Sequence, residues 1–265
     1  MIKAVAVDMD GTFLDSQGQY DRERFEGIFQ TMLEKDVRFI VASGNQYYQL
    51  RSFFPEKEEQ ITFVSENGAL IFKNREVLKE NHFADNLVQE LLAFLQAESS
   101  DLEVVVCGLK SAYMLKSATQ RFKEFSALYY FQLAELDSFA DLPEDVIVKF
   151  ALDVPVDQAP KVVADLNEAF KDQITAVSSG HGSIDIIIPG ITKGSSIQWL
   201  LDQWGIAPNE LAAFGDANND LEMLALTEHS YAMKECSPDV LATAKNQAPS
   251  HNEAGVLQVL EGLLN

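Results

Sequence analysis

The chain has 265 residues, of which 41 are acidic and 20 basic, and its formal net charge is −21. Binding to nucleic acid or to a membrane surface depends on clustered Lys and Arg side chains that neutralise phosphates or anionic lipids. The sequence has no such cluster, so we expect neither nucleic acid nor a membrane among its partners. Hydrophobic residues make up 47% of the chain and charged residues 23%, as in ordinary globular proteins rather than disordered acidic tails.

The length is compatible with one large domain or two modest ones. The apolar runs are far shorter than the roughly 18 residues that a membrane-spanning helix needs. Near the N-terminus, Asp8 interrupts the first apolar segment before a secretory signal could develop. Cys107 and Cys236 stand apart from each other and from any metal-binding spacing. We therefore expect a soluble, cytoplasmic protein whose cysteines are reduced thiols.

Taken in chain order, several short apolar runs end in polar clusters. The first run, 2–7, is rich in β-branched residues and predicts a buried strand that ends at Asp8-Met9-Asp10-Gly11-Thr12. The other predicted strands of this series are 37–42 before Ser43-Gly44-Asn45, 61–64 before Ser65-Glu66-Asn67-Gly68-Ala69, 211–214 before Gly215-Asp216-Ala217-Asn218-Asn219-Asp220, and 231–233. Helical spacing of apolar residues at 25–33 and 197–204 separates these strands. The alternation predicts an α/β fold with a parallel sheet covered on both faces, in which ligands bind at the carboxyl ends of the strands.

The stretch from about 83 to 185 departs from this alternation. It is predicted to contain, in order, helix 87–95, a hairpin of strands 103–107 and 112–115, helix 119–128, strand 146–152, helix 158–170, and strands 174–177 and 184–188. These elements are enough for a separate α+β module. We therefore predict a catalytic core formed by 1–82 and 187–265, and an inserted cap at 83–186 that governs substrate specificity.

The polar clusters contain carboxylates placed for metal-dependent chemistry. Asp8 and Asp10 are two positions apart at a strand end, so both side chains point to the same side. Two adjacent carboxylates repel unless a cation or a shared proton relieves them, and Mg2+ prefers such oxygen ligands. Asp216 and Asp220, at the end of another predicted strand, could complete the coordination of this cation.

Other residues in the clusters are suited to binding an anion. Gly11 and Thr12 allow a tight turn with inward backbone N–H groups. Ser43 and Gly44 add a hydroxyl and a close backbone donor, and Lys193 stands at the predicted start of a helix, where the ammonium and the helix dipole both favour an anion. A divalent cation, paired carboxylates, a lysine and convergent N–H groups fit phosphoryl transfer, in which a carboxylate can also act as nucleophile.

These motifs resemble those of a known family. In chain order, Asp8-Met9-Asp10-Gly11-Thr12, Ser43, Lys193 and Gly215-Asp216 with Asn219-Asp220 resemble the four motifs of the haloacid dehalogenase (HAD) superfamily. A cap between the second and third motifs is similar to that of Cof-type subfamily IIB, and the strings at 42–50, 66–70 and 184–190 resemble its bacterial sugar phosphatases. The resemblance implies a Rossmann-like parallel-sheet core with an inserted α+β cap of the C2 type.

The resemblance also implies roles for the matching residues. Asp8 would be the nucleophile, and Asp10 the general acid that protonates the leaving alkoxide and then the base that activates water. Mg2+ would be held by the Asp8 carboxylate, the main-chain carbonyl of Asp10 and Asp216, with Asp220 orienting these ligands from nearby. The residues expected to bind the phosphoryl group are Thr12, Ser43, Gly44, Lys193 and Asn219.

Three further residues are candidates for contacts with the substrate. Asn45 stands where many Cof-type proteins carry Arg after the glycine of the second motif. An amide at this position recognises hydroxyls rather than charge and favours a neutral sugar or polyol group. Asn67 follows a predicted strand end, and His181 stands between two glycines. Each is compatible both with contact to the substrate and with a purely structural role.

The main hypothesis is a Mg2+-dependent phosphatase of small phosphate monoesters, sugar phosphates above all, that acts through an aspartyl-phosphate on Asp8. A phosphotransferase or phosphosugar mutase would use the same intermediate. A non-catalytic phosphoacceptor or metabolite-binding module ranks third because it needs no inserted cap. The surplus negative charge would repel a phosphate ester at long range, so attraction must come from Mg2+, Lys193 and backbone N–H groups, which predicts strict metal dependence. The particular substrate, the oligomeric state and the protein partners are not indicated by the sequence.

Overall fold

The structure is a computed structural model that describes residues 1–98, 102–180 and 182–264. Within these ranges the strands are β1 (Ala4–Val7), β2 (Arg38–Ala42), β3 (Thr62–Ser65), β4 (Leu70–Lys73), β5 (Glu76–Glu80), β6 (Glu103–Gly108), β7 (Ala112–Leu115), β8 (Leu133–Leu136), β9 (Ile147–Asp153), β10 (Thr175–Gly180), β11 (Ser183–Ile187), β12 (Leu211–Gly215), β13 (His229–Ala232) and β14 (Asn246–Gln247). The α-helices are α1 (Arg22–Glu34), α2 (Tyr47–Ser52), α3 (Asp85–Glu98), α4 (Gln120–Tyr129), α5 (Ala159–Ala169), α6 (Lys193–Trp204), α7 (Leu221–Ala225), α8 (Pro238–Thr243) and α9 (Gly255–Leu263).

The chain divides into two compact units. The first unit comprises Met1–Gly44, Phe53–Leu78 and Thr192–Asn265, and the second comprises Asn45–Ser52 and Lys79–Ile191. In the part of the chain that the structure describes, no helix combines the length and the apolar character that crossing a bilayer requires.

One sheet is built around β1 and has the order β14-β13-β12-β1-β2-β3-β4-β5. Strands from β14 to β3 run parallel to their neighbours, and β4 is antiparallel to β3. Val5 of β1 lies opposite Phe39 of β2 on one side and opposite Ala212 of β12 on the other. From β1 the next strands in the chain, β2 and β3, follow on one side, whereas β12, β13 and β14 follow on the other. The strand order therefore reverses between β1 and β12, and such a reversal places a crevice at the carboxyl ends of these two strands. The predicted α/β fold with a parallel sheet is confirmed.

The two faces of this sheet are packed differently. On one face, the small side chains of Ala4, Ala6 and Ala213 allow α6 to approach closely, and Ile197 and Leu200 of that helix are fully buried against them. Dense packing of this kind positions the N-terminus of α6 relative to the strand ends, because interiors close-pack with little free volume.

The opposite face carries an aromatic cluster. Its members are Phe13, Tyr20, Phe25, Phe29, Phe39 and Phe54, with neighbouring ring centroids 4.9 to 6.2 Å apart. Phe39 alternates with Ile40 along β2, so the two side chains point to opposite faces of the sheet. Phe13 ties the loop after β1 into this cluster, which holds that loop against the sheet.

A hairpin next to β3 was not indicated by the sequence. Strands β4 and β5 meet at a turn in which Asn74 and Arg75 both have positive φ, 54° and 65°. Two successive positive φ values are typical of the tight turns that suit the twist of a hairpin. The apolar pattern missed β5 because it is an edge strand whose side chains are mostly exposed and do not alternate.

The second unit contains a separate sheet with the order β10-β11-β9-β6-β7-β8. Its strands pair antiparallel except for β7 and β8, which are parallel. Leu91 of α3 and Leu166 of α5 are fully buried in one core with Phe150 and Ile184 of the sheet. The helices and strands predicted for 83–185 are present as an α+β module, and β8 adds to them.

The short segment around α2 belongs to this second unit, where glutamine side chains of the segment hydrogen-bond to backbone groups. Gln46 Nε2 donates a hydrogen bond of 2.8 Å to the carbonyl of Gln132, and the Gln132 N–H donates one of 2.8 Å to Gln46 Oε1. Gln49 Nε2 also donates to the carbonyl of Leu128. One side chain therefore satisfies both backbone groups of a residue that lies 86 positions away.

Candidate active site

The loop after β1 is shaped by a glycine that touches the end of β12. The N–H of Asp8 donates to the carbonyl of Phe214 at 3.1 Å, and the N–H of Phe13 returns to the carbonyl of Asp8 at 3.2 Å. Between them Gly11 has φ of 77°, in the left-handed region that favours glycine. A Cβ at Gly11 would lie 2.7 Å from Asp216 Oδ2. Only glycine therefore lets this loop approach the next acidic segment so closely.

Lys193 enters the same place from the first turn of α6. The helix begins with a capping box in which the Thr192 hydroxyl accepts from the N–H of Ser195 and the Ser195 hydroxyl accepts from the N–H of Thr192. Lys193 is 1% exposed, and its Nζ donates to Asp8 Oδ1 at 2.6 Å and to Asp220 Oδ1 at 2.7 Å. The start of the helix thus delivers one buried cation between two carboxylates.

Three carboxylates form a cluster around this cation. One oxygen from each of Asp8, Asp216 and Asp220 lies within 4.8 Å of the others. The Thr12 hydroxyl donates to Asp216 Oδ1 at 2.7 Å and holds that carboxylate in place. Three carboxylates outnumber the single ammonium of Lys193, and converging carboxylate oxygens are the ligands that a hard divalent cation such as Mg2+ takes. The donor set therefore fits the predicted cation.

The pKa values reflect this surplus of negative charge. Burial raises the pKa of Asp8 well above its ordinary value; Lys193 acts against that rise, while Asp220 and Asp216 add to it. The pKa of Asp216 is also raised, first by burial, although the hydrogen bond from Thr12 lowers it. Burial alone would lower the pKa of Lys193, but the two neighbouring carboxylates outweigh it and hold the pKa above its usual range. Lys193 therefore stays charged, and a bound cation would favour the ionised form of Asp8.

Asp220 lies within the cluster rather than beside it. It is fully buried, and besides accepting from Lys193 its Oδ2 accepts from the N–H groups of Asp216 and Ala217 at 3.0 and 3.1 Å. A Cβ at Gly215 would lie 2.5 Å from the Asp220 Cβ, so glycine is needed where β12 ends. The carboxylate of Asp220 thereby fixes both the ammonium and the backbone that carries Asp216.

A second group of polar residues lies after β2 and β3. Ser43 is buried, and its carbonyl accepts from the N–H of Asn67 at 3.1 Å. Asn219 Nδ2 donates to Asn67 Oδ1 at 3.1 Å. A Cβ at Gly44 would lie 3.0 Å from Asn67 Oδ1, so the carboxamide of Asn67 packs directly on this glycine.

The remaining predicted residues have different places. Asp10 is exposed and follows Asp8 in extended geometry, with φ of −74° and ψ of 122°. Asn45 is half-buried and belongs to the second unit. His181 lies outside the described residues. The predicted site residues in the first unit are Asp8, Asp10, Thr12, Ser43, Gly44, Asn67, Lys193, Asp216, Asn219 and Asp220.

Two supporting contacts were not indicated by the sequence. The Thr192 hydroxyl donates to the carboxylate of Glu222, which joins the start of α6 to α7. The N–H of Ser237, after β13, donates to the carbonyl of Asp216 at 2.8 Å. Neither has a sequence signal, because both depend on which segments meet in space.

The chain is similar to known proteins over nearly its whole length. A family model described as haloacid dehalogenase-like hydrolase matches residues 5–260. The chain is 42% identical over 268 residues to 5-amino-6-(5-phospho-D-ribitylamino)uracil phosphatase YbjI of Escherichia coli (strain K12), covering 99% of this chain and 96% of that protein. It is 24% identical to the HMP-PP phosphatase of Serratia proteamaculans (strain 568), covering 91% and 86%. The crystal structure of SMU.1108c from Streptococcus mutans UA159 superimposes with a TM-score of 0.94 at 37% identity, covering 100% of this chain and 99% of that one.

Proposed function

The chain belongs to the haloacid dehalogenase-like hydrolases, and from that premise we propose that it is a Mg2+-dependent phosphatase of small phosphate monoesters. The observation that carries the proposal is the buried contact of 2.6 Å between Lys193 Nζ and Asp8 Oδ1, inside a cluster that also holds Asp216 and Asp220. A carboxylate that can act as nucleophile, beside a permanent cation and a set of carboxylates that can bind a metal ion, is suited to phosphoryl transfer.

Asp8 and Asp10 divide the chemistry between them. A carboxylate oxygen of Asp8 forms a bond to phosphorus while the bond from phosphorus to the alkoxide oxygen breaks. Asp10, which is exposed and so accessible to a substrate, donates its proton to that alkoxide. It then takes a proton from the water that attacks the aspartyl-phosphate, so inorganic phosphate leaves and Asp8 is regenerated.

The other residues of the site bind charge. Mg2+, held by Asp8, Asp216 and the main-chain carbonyl of Asp10, would supply positive charge to the phosphoryl oxygens. Lys193 supplies a second positive charge that is fixed by its two buried ion pairs. Thr12, through its hydrogen bond to Asp216, keeps a metal ligand oriented.

The phosphoryl group is bound by donors at the ends of β2 and β12. They are the hydroxyl of Ser43, the backbone at Gly44 and the side-chain amide of Asn219, together with Lys193. The neutral donors among these, on Ser43, Gly44 and Asn219, stabilise the negative charge that grows on the phosphoryl oxygens.

We assign the substrate to the class of sugar and polyol phosphates. The Escherichia coli relative is named for a compound whose phosphate is carried on a ribityl chain, which is a polyol. Asn45, an amide where many Cof-type proteins carry Arg, favours a substrate with neutral hydroxyl groups. The proposed location is the cytoplasm.

The test is phosphate release from a panel of monoesters that includes a phosphoribityl compound, pentose and hexose phosphates, and a nucleotide. Each is assayed with Mg2+ and with a chelator. Many turnovers per chain with Mg2+, loss with the chelator and loss in Asp8→Asn support the proposal. Phosphate release from no member of the panel, or release that Asp8→Asn retains, would refute it. Formation of an isomerised sugar phosphate would instead identify a mutase. Retention of a single phosphate per chain, without turnover, would identify a phosphoacceptor.

A further inference from the structure

The turn after β3 has an unusual backbone. Three successive residues have positive φ: Glu66 at 51°, Asn67 at 57° and Gly68 at 105°. Residues other than glycine rarely adopt this region, and such conformations persist only where the surroundings hold them. All three are buried, so the turn is held by packing rather than by solvent.

The turn touches two of the segments that carry the site. Asn67 donates its N–H to the carbonyl of Ser43 at 3.1 Å. The carbonyl of Gly68 accepts from the Ser196 hydroxyl at 2.7 Å, and a Cβ at Gly68 would collide with the carbonyl of Thr192. The turn therefore fixes the spacing between the segment after β2 and the first turn of α6.

Asn67 also reaches a third segment, the one between β12 and α7. Its Oδ1 accepts from Asn219 Nδ2 at 3.1 Å. Asn67 is 5% exposed, whereas Asn219 is exposed. An exposed carboxamide samples several rotamers, and a hydrogen bond to a buried, immobile acceptor selects one of them. In the described part of the chain, the side chain of Asn219 makes this hydrogen bond to Asn67.

The packing of Asn67 leaves little room for a substrate. Its oxygen already accepts from Asn219, and the carboxamide lies on Gly44 at 3.0 to 3.4 Å from where a Cβ would be. Asn219, in contrast, uses one N–H of its Nδ2 in this bond and has a second N–H on the same nitrogen.

We propose that Asn67 is a positioning residue whose carboxamide oxygen holds Asn219 so that the second N–H of Asn219 Nδ2 points to the phosphoryl group. The inference rests on the proposed phosphatase function. It assigns Asn67 to the orientation of a phosphate donor rather than to contact with the leaving group. It also explains Gly44, since any side chain there would displace the carboxamide.

The test is a double-mutant cycle with Asn67→Gly and Asn219→Ala. Glycine adopts φ near +57° readily, so Asn67→Gly removes the carboxamide without disturbing the turn. Asn74→Gly is the matched control, because Asn74 has φ of 54° and is exposed in the separate β4–β5 turn. The readouts are kcat, KM, the inhibition constant of inorganic phosphate in the presence of Mg2+, and Tm.

We expect Asn67→Gly and Asn219→Ala each to lower kcat/KM by about tenfold, the worth of one hydrogen bond to a charged group. The double variant should be no slower than Asn219→Ala alone, and both single variants should weaken binding of inorganic phosphate. Asn74→Gly should match the wild type. Additive losses in the cycle, or an unchanged inhibition constant in Asn67→Gly, would overturn the positioning role while leaving the phosphatase function standing.

A spectroscopic readout separates this inference from activity. The side-chain NH2 group of Asn219 gives two proton resonances, and one of them should move when Asn67→Gly removes the acceptor. Inorganic phosphate with Mg2+ should move the other in the wild type. An Asn219 NH2 spectrum that is identical in Asn67→Gly and wild type would refute the hydrogen bond itself. A wild type that releases no phosphate from any monoester would refute the proposed function and this inference together.

Discussion

Replacement of Asp8 by Asn should abolish phosphate release and, in metal-free protein, raise the thermal stability. The substitution keeps the shape of the side chain and removes its charge. At an effective dielectric constant of about 20, the ion pair of Asp8 with Lys193 at 2.6 Å contributes about 6 kcal/mol of attraction. Each of the two other carboxylates, within 4.8 Å, repels Asp8 by about 3.5 kcal/mol or more.

Attraction and repulsion therefore nearly cancel, and the cost of burying the Asp8 charge, several kcal/mol, stays uncompensated. This balance agrees in direction with the raised pKa of Asp8. An amide avoids that cost and can still accept from Lys193. We expect Asp8→Asn to gain about 2 kcal/mol in the free energy of unfolding, a Tm rise of about 4–8 °C for a chain of this size.

The pH dependence has a definite sign. Because burial raises the pKa of Asp8 above its ordinary 3.8, the native protein binds more protons than the unfolded chain above that pH. The contribution of Asp8 to stability therefore falls as pH rises through and beyond this value. The advantage of Asp8→Asn should be small near pH 4 and grow towards neutrality.

The assay is thermal unfolding of wild type and Asp8→Asn in chelator at several pH values, with phosphate release measured in parallel. Asp202→Asn, on the exposed side of α6, is the control and should change the free energy of unfolding by less than about 0.5 kcal/mol. A metal-free Asp8→Asn that is less stable than wild type at neutral pH would show that the ion pair with Lys193 dominates and that our balance is wrong.

Four further outcomes are expected. Mg2+ at a hundredfold excess over Kd should stabilise wild type by about 2.7 kcal/mol in unfolding experiments, and an equal gain in Asp8→Asn would argue against metal binding at this cluster. Lys193→Met should stop phosphate release and cost metal-free protein about 3–5 kcal/mol, because it leaves buried carboxylates without their cation; an unaffected Tm would contradict this. Thr12→Val should weaken Mg2+ binding about 10- to 100-fold in a titration of activity, whereas Thr12→Ser should not; equal behaviour of the two would rule out the hydroxyl's role. Gly44→Ala should lower kcat/KM because the new Cβ presses on Asn67, while Gly27→Ala, which meets nothing within 4 Å, should not.

The sequence was sufficient to predict where the segments of the candidate site lie in the fold. Asp8 and Asp216 follow short buried strands, and in a parallel sheet such strand ends meet at one edge. Lys193 follows a good capping residue at the start of an amphipathic helix, so its position at a helix N-terminus was also predictable. Patterns of this kind can be recognised because buried strands and capped helix ends leave short-range signals in the sequence.

Such patterns could not predict two features of the fold. One is the exposed strand β5, and the other is the membership of α2 in the second unit. Strand β5 has no apolar alternation to reveal it. The placement of α2 depends on Gln46, whose side chain pairs with both backbone groups of Gln132. A polar side chain that substitutes for a backbone partner leaves no periodic signal in the sequence.

By itself, then, the sequence determined the fold class, the position of the polar clusters after strands and the approximate ends of most strands, since these follow from local burial and spacing. Only the tertiary structure decided that Lys193 pairs directly with Asp220, that the Thr12 hydroxyl donates to Asp216, and that Asn219 donates to Asn67. The residues of these three pairs lie 27, 204 and 152 positions apart in the chain. Their partners are chosen by strand order and by close approach at glycines, which are properties of the packed molecule rather than of any one segment.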